Sequence, residues 1–207
     1  CKMKYTTLAT KEIIEKATKG LADRNVEAIY VETKAEALEK LKELIPAGAS
    51  IMNGASVTLE QIGFVDYLKS GEHKWNNLHE VILAEKDPAK QAELRRTALL
   101  SDFYLGSVHA LAETGEFIVA SNTGSQLPHL VFTSPNLILV VSTKKISPTL
   151  KEATERLYEH VVPLEDNRMM GAYNMHTQVN KVFTFHNENP MYGRKIRVIL
   201  VNEDLGY

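Results

Sequence analysis

The residues best equipped for chemistry lie between Ser107 and Gln126, which read S-V-H-A-L-A-E-T-G-E-F-I-V-A-S-N-T-G-S-Q. Glu113 opens a Glu-x-Gly turn. A carboxylate so placed can attack an acyl thioester to form an anhydride, provided the site is dry and backbone N–H groups steady the oxyanion. His109, whose imidazole is ordinarily neutral near pH 7, is the candidate general base. Thr114, Gly115 and Glu116 complete the turn, and Asn122, Thr123, Gly124, Ser125 and Gln126 form a second polar turn able to hold a small anionic metabolite. The plainer alternative makes Glu113 and Glu116 solvated members of a tight turn and His109 a packed, hydrogen-bonded one, because so short a motif arises often by chance.

A second loop has the grammar of an anion site. Ser50 to Asn53 reads as a strand running into Gly54-Ala-Ser56-Val-Thr58, after which Leu59, Ile62, Val65 and Leu68 mark a helix. Gly54 permits a sharp turn, Ser56 is suited to cap the helix, and the free N–H groups at its start suit a phosphate or carboxylate. Ser56 and Thr58 serving only as caps is the alternative. Lys144 and Lys145 follow an apolar strand and stand at the end from which a ligand is reached, which makes them secondary candidates. Lys195 and Arg197 share a face of a late strand, where they meet an anion or discourage edge pairing. Met169, Met170 and Met175 line a lid or fill gaps in a core. The remaining histidines form no i,i+4 pair or carboxylate cluster, so no metal site is expected.

These residues need elements to position them. Thr10 caps a helix from Lys11 to about Arg24, an N-terminal cover, and Ala28 to Val31 is a short strand. Thr33 and Glu36 form a capping box for a helix over Lys34 to Ile45. Asp87-Pro88 opens a helix to about Leu100, and strands follow at Phe103 to Leu105 and Phe117 to Ala120. Leu127 to Phe132 is a short helix or turn. Leu137 to Val141 is apolar throughout, as a parallel strand covered on both faces must be. Ser147-Pro148 starts a helix in which Leu150, Ala153, Leu157 and Val161 pack while Lys151, Glu152, Glu155, Arg156 and Glu159 face water. Val162 to Asn180 reads as irregular, and Lys181 to His186 with Lys195 to Asn202 as an antiparallel pair. The whole predicts a three-layer α/β domain over residues 1–207: a mainly parallel twisted sheet, helices on both faces and an antiparallel C-terminal edge.

The composition, 44% apolar and 24% charged, is that of a globular chain with a sizeable core. A formal charge of -2 gives no general attraction to nucleic acid or anionic lipid, and neither partner is expected. No apolar run approaches the roughly 20 residues of a membrane helix. The lone cysteine, Cys1, allows no intramolecular disulfide and no cluster on the usual thiolate set, so no cofactor is expected and a reducing cytoplasm fits. Cys1 reads as the end of a truncated or tagged chain with Met3 as its native start, in preference to a lipidated residue. A homodimer is the prior for oligomeric state.

Several stretches together resemble the lactate-utilisation (LUD) domain family, whose fold belongs with ribose-phosphate isomerases, glucosamine-phosphate deaminases and CoA transferases. They are Gly54-Ala-Ser-Val-Thr-Leu-Glu-Gln-Ile-Gly63, Ser101-Asp-Phe-Tyr-Leu-Gly106, Ala112-Glu-Thr-Gly-Glu116, Asn136 to Lys145 and the ending Val198 to Gly206. The resemblance implies a cluster-free member of a system oxidising lactate to pyruvate, working with iron-sulfur proteins. Alternatives are a CoA-transferase-like or sugar-phosphate-acting enzyme using Glu113, and a non-catalytic structural subunit. Where the family commonly has Ser/Gly-x-Asn-Ala-Ile this chain has Ser107-Val-His109-Ala-Leu111, and where it commonly has Gly-Asn-Arg this chain has Gly124-Ser125-Gln126. The cation expected beside an anionic ligand is therefore missing at that turn: the ligand differs, or the charge comes from elsewhere.

Overall fold

A computed structural model describes residues 2–207, so Cys1 lies outside the described residues. Thr10 caps α1 (Lys11–Ala22), whose Ile14, Ala17 and Leu21 are buried. β1 (Val26–Val31) follows, and Thr33 and Glu36 close the expected capping box at the head of α2 (Lys34–Leu44). β2 (Ser50–Asn53) runs into α3 (Val57–Gln61), and Gly63 separates it from α4 (Phe64–Ser70). Next come β3 (Asn76–Asn77), α5 (Leu78–Ala84) and α6 (Pro88–Thr97), the last capped by Asp87. β4 (Phe103–Gly106) precedes the hairpin of β5 (Ala110–Ala112) and β6 (Phe117–Ser121). The chain ends with β7 (Asn136–Ser142), β8 (Ile146–Ser147), α7 (Leu150–Arg156), α8 (Val162–Tyr173), β9 (Lys181–Phe185) and β10 (Lys195–Val201).

The main sheet has the order β1-β10-β7-β4-β2-β3, parallel at every pairing. Side-chain alternation on β7 shows why it is buried on both faces. Leu137, Leu139 and Val141 pack with α1, while Ile138 and Val140 pack with α2, α3 and α4. Each such side chain contributes about 1.5–3 kcal/mol by leaving water. The expected α/β class with a mainly parallel sheet is therefore present. No helix among the described residues is long and apolar enough to cross a membrane.

Two expectations are corrected. The last two strands do not pair as an antiparallel edge: β10 lies between β1 and β7, parallel to both, and β9 joins a second sheet of order β8-β5-β6-β9, antiparallel to β6. Burial decides this. Ile196, Val198 and Leu200 feed one core and Ile199 and Val201 the other, so the strand is covered on both faces. Arg197 pairs with Glu27 of β1 at 2.8 Å and guards no edge. This second sheet shares the cover of one main-sheet face with α1, through Phe117, Val119 and Phe185, and turns its other side to Ala153, Leu157 and Val161 of the α7 region. The second correction is that Val162 to Tyr173 is helical. A π-helical turn, Leu157–Val161, joins α7 to α8, and the wider turn absorbs the hydrogen bond that Pro163 cannot donate.

Candidate functional site

Parallel strands bring their C-terminal ends to one edge, and open α/β sheets bind ligands there. The segments after β2, β4, β7 and β10 meet at that edge around a cleft of about 410 Å³, closed on its remaining sides by the 121–126 turn and the α7–α8 helix. Small-molecule sites run from about 300 to 1,000 Å³.

The floor is tightly built. A Cβ at residue 54 would come 2.5 Å from the Tyr104 hydroxyl, so only glycine lets the loop pass over that phenol. Burial raises the Tyr104 pKa, keeping the hydroxyl neutral. The Tyr104 ring stacks on His129 at 4.3 Å, and His129 Nδ1 meets Ser134 Oγ at 2.7 Å. Ser56 does both tasks the sequence offered it: Oγ accepts from Leu59 N at 3.3 Å, capping α3, and the residue lines the cleft. Thr58 does not cap; it is one of the oxygens around Lys145.

Lys145 is the centre of the site. Its side chain is buried at the end of β7, with Nζ 3.1 Å from each of Thr58 Oγ1, Ser107 Oγ and Val108 O. All three oxygens are neutral. Burial, and then the charges of Arg156 and Lys144, hold the Lys145 amine well below the ordinary lysine range. Arg156 is 0% exposed and donates from Nη1 to the carbonyl of His109, while its Nε finds no partner. Burial brings its guanidinium down to about 10, still charged at neutral pH. Lys144 is bonded to Asp204 and, at 2.7 Å, to the carbonyl of Gly206.

His109 lines the cleft. Its Nδ1 accepts the Ala120 N–H at 3.1 Å, which puts the proton of the neutral ring on Nε2. The residue is only partly exposed and lies deep in the protein; burial, then Lys145 and Arg156, lower its pKa to about 3. With the accepting nitrogen already occupied, it offers a ligand a donor.

The two polar turns of the sequence part company. Asn122, Thr123, Ser125 and Gln126 line the cleft, and Gly124 supports them by donating its N–H to Ser121 Oγ at 2.9 Å. Glu113, Thr114, Gly115 and Glu116 sit at the opposite end of the β5–β6 hairpin, packed on α1. There Arg24 donates from Nε to Thr114 O at 2.6 Å, and also to His186 O and the Glu116 carboxylate. Partial burial works against ionisation of Glu116, but the Thr114 hydroxyl, its own backbone N–H and Arg24 outweigh it and hold the carboxyl below its ordinary range. Glu113 lies 3.9 Å from Lys16 and away from the cleft. Sequence reasoning ranked Lys145 second and missed Arg156, which it assigned to water. The available signals were a lysine pair directly after a doubly covered strand, and the i+3 spacing of Arg156 from Ala153 on the packed face. Met169, Met170 and Met175, read as a lid or as core filler, are not among the residues that line the cleft.

Three comparisons bear on this geometry. A family model described as the LUD domain matches residues 14–181. A solved DUF162 family protein from Deinococcus radiodurans is similar in fold, with a TM-score of 0.58 and 16% identity over 95% of this chain and 100% of that one. No curated protein matches the chain.

Proposed function

The chain belongs to the LUD-domain family, whose setting is lactate utilisation, and we propose that within that setting it binds a small anionic metabolite, foremost a small carboxylate, in the strand-end cleft. One observation carries the reading: Lys145 and Arg156 are buried beside each other's field, and the groups that shift Lys145 include no acid. A carboxylate beside Lys145 would stabilise the ammonium form that Arg156 and Lys144 disfavour. In this reading the charge missing from the Gly124-Ser125-Gln126 turn comes from the field of Arg156 and, when it is protonated, from Lys145. The redox chemistry of a lactate-oxidising system falls, in this proposal, to iron-sulfur partner proteins, on the support of the family setting alone. Acyl transfer through Glu113 draws no support from a carboxylate at the far end of the hairpin.

A thermal-shift screen against lactate, pyruvate, CoA, sugar phosphates and reduced folates tests the reading. A ligand at a hundred times its Kd adds about 2.7 kcal/mol, or roughly 5–10 °C for a chain of this size. The expected outcome is a rise with a small carboxylate that Lys145→Met removes. No shift with any of these anions, or a shift indifferent to Lys145→Met, would sink it.

A further inference from the structure

A buried lysine usually has a carboxylate beside it, and among the described residues none is bonded to Lys145. From α3 it faces the Thr58 hydroxyl; from the segment after β4, the Ser107 hydroxyl and the Val108 carbonyl. From α7 comes the charge of Arg156, and from its own strand end that of Lys144. The segment after β10 presents Gly206, whose added Cβ would lie 2.8 Å from Nζ. Asp204, which is bonded to Lys144, is largely solvated. The acids of the cleft wall are Glu165, held by Arg168 at 2.7 and 2.8 Å, and Glu60, which is exposed. Lys145 therefore lines a ligand-sized cleft, with two hydroxyls within reach of Nζ and no carboxylate bonded to it among the described residues.

We propose that Lys145 is the nucleophile of this cleft, and that its amine condenses reversibly with the keto group of a small 2-oxo carboxylate to form an imine. The inference rests on the anion-binding reading and sharpens it to a substrate class. The Nζ lone pair attacks the ketone carbon, and the C=O π electrons move to oxygen, which is protonated to give a carbinolamine. Loss of water then leaves C=N, and both hydrogens of the neutral amine depart with the former carbonyl oxygen. Addition of water reverses the step, and no oxidant or reductant takes part. Ser107 and Thr58, each 3.1 Å from Nζ, are placed to pass the protons. The Nε2–H of His109 and the field of Arg156 are available to the carboxylate. An ordinary lysine is neutral in only about one part in a thousand near neutral pH; the surroundings of Lys145 raise that fraction. A 2-hydroxy acid would occupy the same cleft and form no imine.

The test uses the full chain with pyruvate and cyanoborohydride, which reduces an imine to a stable secondary amine, followed by intact-mass and peptide mass spectrometry. The expected result is one adduct, mapped to Lys145 in the unaltered chain, exceeding any other lysine by at least about tenfold given the neutral fraction of exposed lysines. Lactate with the same reductant should give none, and Lys145→Arg should abolish the adduct. Mapping on the unaltered chain needs no variant to fold. If pyruvate raises the melting temperature and no Lys145 adduct forms, the imine is overturned and the anion reading stands. Labelling spread evenly over surface lysines overturns the imine in the same way. If pyruvate neither stabilises the chain nor labels it, the imine falls, and the anion reading falls with it unless another anion in the screen binds.

Discussion

Two cations serve the two ends of the β5–β6 hairpin, and their surroundings are opposite. At the turn, Arg24 gives its donors to Thr114 O, His186 O and the Glu116 carboxylate, so charge and hydrogen bonds close without any further molecule. At the cleft, Lys145 meets three neutral oxygens and two other cations. Polar residues alone do not mark a site. The turn with the more suggestive side chains is a clamp whose carboxylate is consumed by structure. The end with the less suggestive ones keeps buried cations without a carboxylate among the described residues, an imbalance relieved by loss of the Lys145 proton or, in the proposed reading, by an anion.

The clamp should be the more fragile of the two to a change of shape. Gly115 has φ 95°, and a Cβ there would lie 2.3 Å from the backbone carbon and oxygen of Gly20. Backbone atoms of α1 cannot rotate away as a side chain would. Gly115→Ala is expected to cost about 3 kcal/mol or more, which lowers Tm by roughly 6–12 °C. The response to cleft ligands should survive at temperatures where the variant is folded. A variant that melts with the parent would mean that the turn is not clamped to α1.

Exchanging each cation for methionine tests the contrast directly. Arg24→Met strands the partly buried Glu116 and should lower stability by about 2 kcal/mol. Lys145→Met replaces an uncompensated buried amine with an apolar chain of similar length, and should leave stability unchanged or raise it. Its cost should appear in binding instead, as a tenfold or larger loss of affinity, about 1.4 kcal/mol or more, read by calorimetry with the best anion of the screen. Equal losses of stability from both changes would erase the distinction.

How much of this was legible in the sequence follows from which forces act locally. The capping box at Thr33 and Glu36, the cap at Asp87 and the doubly buried β7 rest on neighbours in the chain, and they were readable. The cleft loop at Gly54 to Thr58 and the turn from Asn122 to Gln126 were readable for the same reason. Strand order was not: whether Lys195–Val201 takes the edge or the centre depends on what covers both faces, which no local pattern states. Arg156 illustrates the same limit. A helix pattern puts a guanidinium in water by default, and only the second sheet, packed over α7, makes that position interior. The Glu113-Thr-Gly115 motif is equally limited, because so short a pattern carries no information about which end of a hairpin faces the cleft.

Acid should separate the two ends by pH window. His109 at the cleft and His129 beneath it have pKa values lowered to about 3 and about 4 from an ordinary 6.5. Between those values the unfolded chain binds more protons than the folded one, so stability falls as pH falls below about 6.5, by up to about 1.4 kcal/mol per pH unit for each ring. Glu116 is also lowered, below its ordinary 4.5, but there the fold favours the charged form, and its contribution is lost only as pH falls through that lower range. Urea midpoints at pH 7, 6 and 5 should therefore decline, and His109→Asn should flatten the decline. A midpoint constant from pH 7 to 5 would mean that neither ring is held neutral.

The smallest effect expected is the one that most sharply divides the two ends. Glu113 touches Lys16 at 3.9 Å, while Lys16 is bound more closely, at 2.9 Å, to Glu12 of its own helix. An ion pair of this kind between partly solvated side chains is worth about 0–1 kcal/mol. The amide of Glu113→Gln keeps the shape of the turn, and the backbone bonds that set it, Glu113 N to Ser147 O and Gly115 N to Ala112 O, each 2.8 Å, are untouched. Stability should change by less than about 0.5 kcal/mol, and anion affinity and Lys145 labelling by less than about twofold. If Glu113 served as an acyl acceptor, the same change would abolish turnover, because an amide cannot form the anhydride. A loss of anion binding or labelling in Glu113→Gln would join the two ends of the hairpin into one functional unit, and the division between clamp and site would no longer hold.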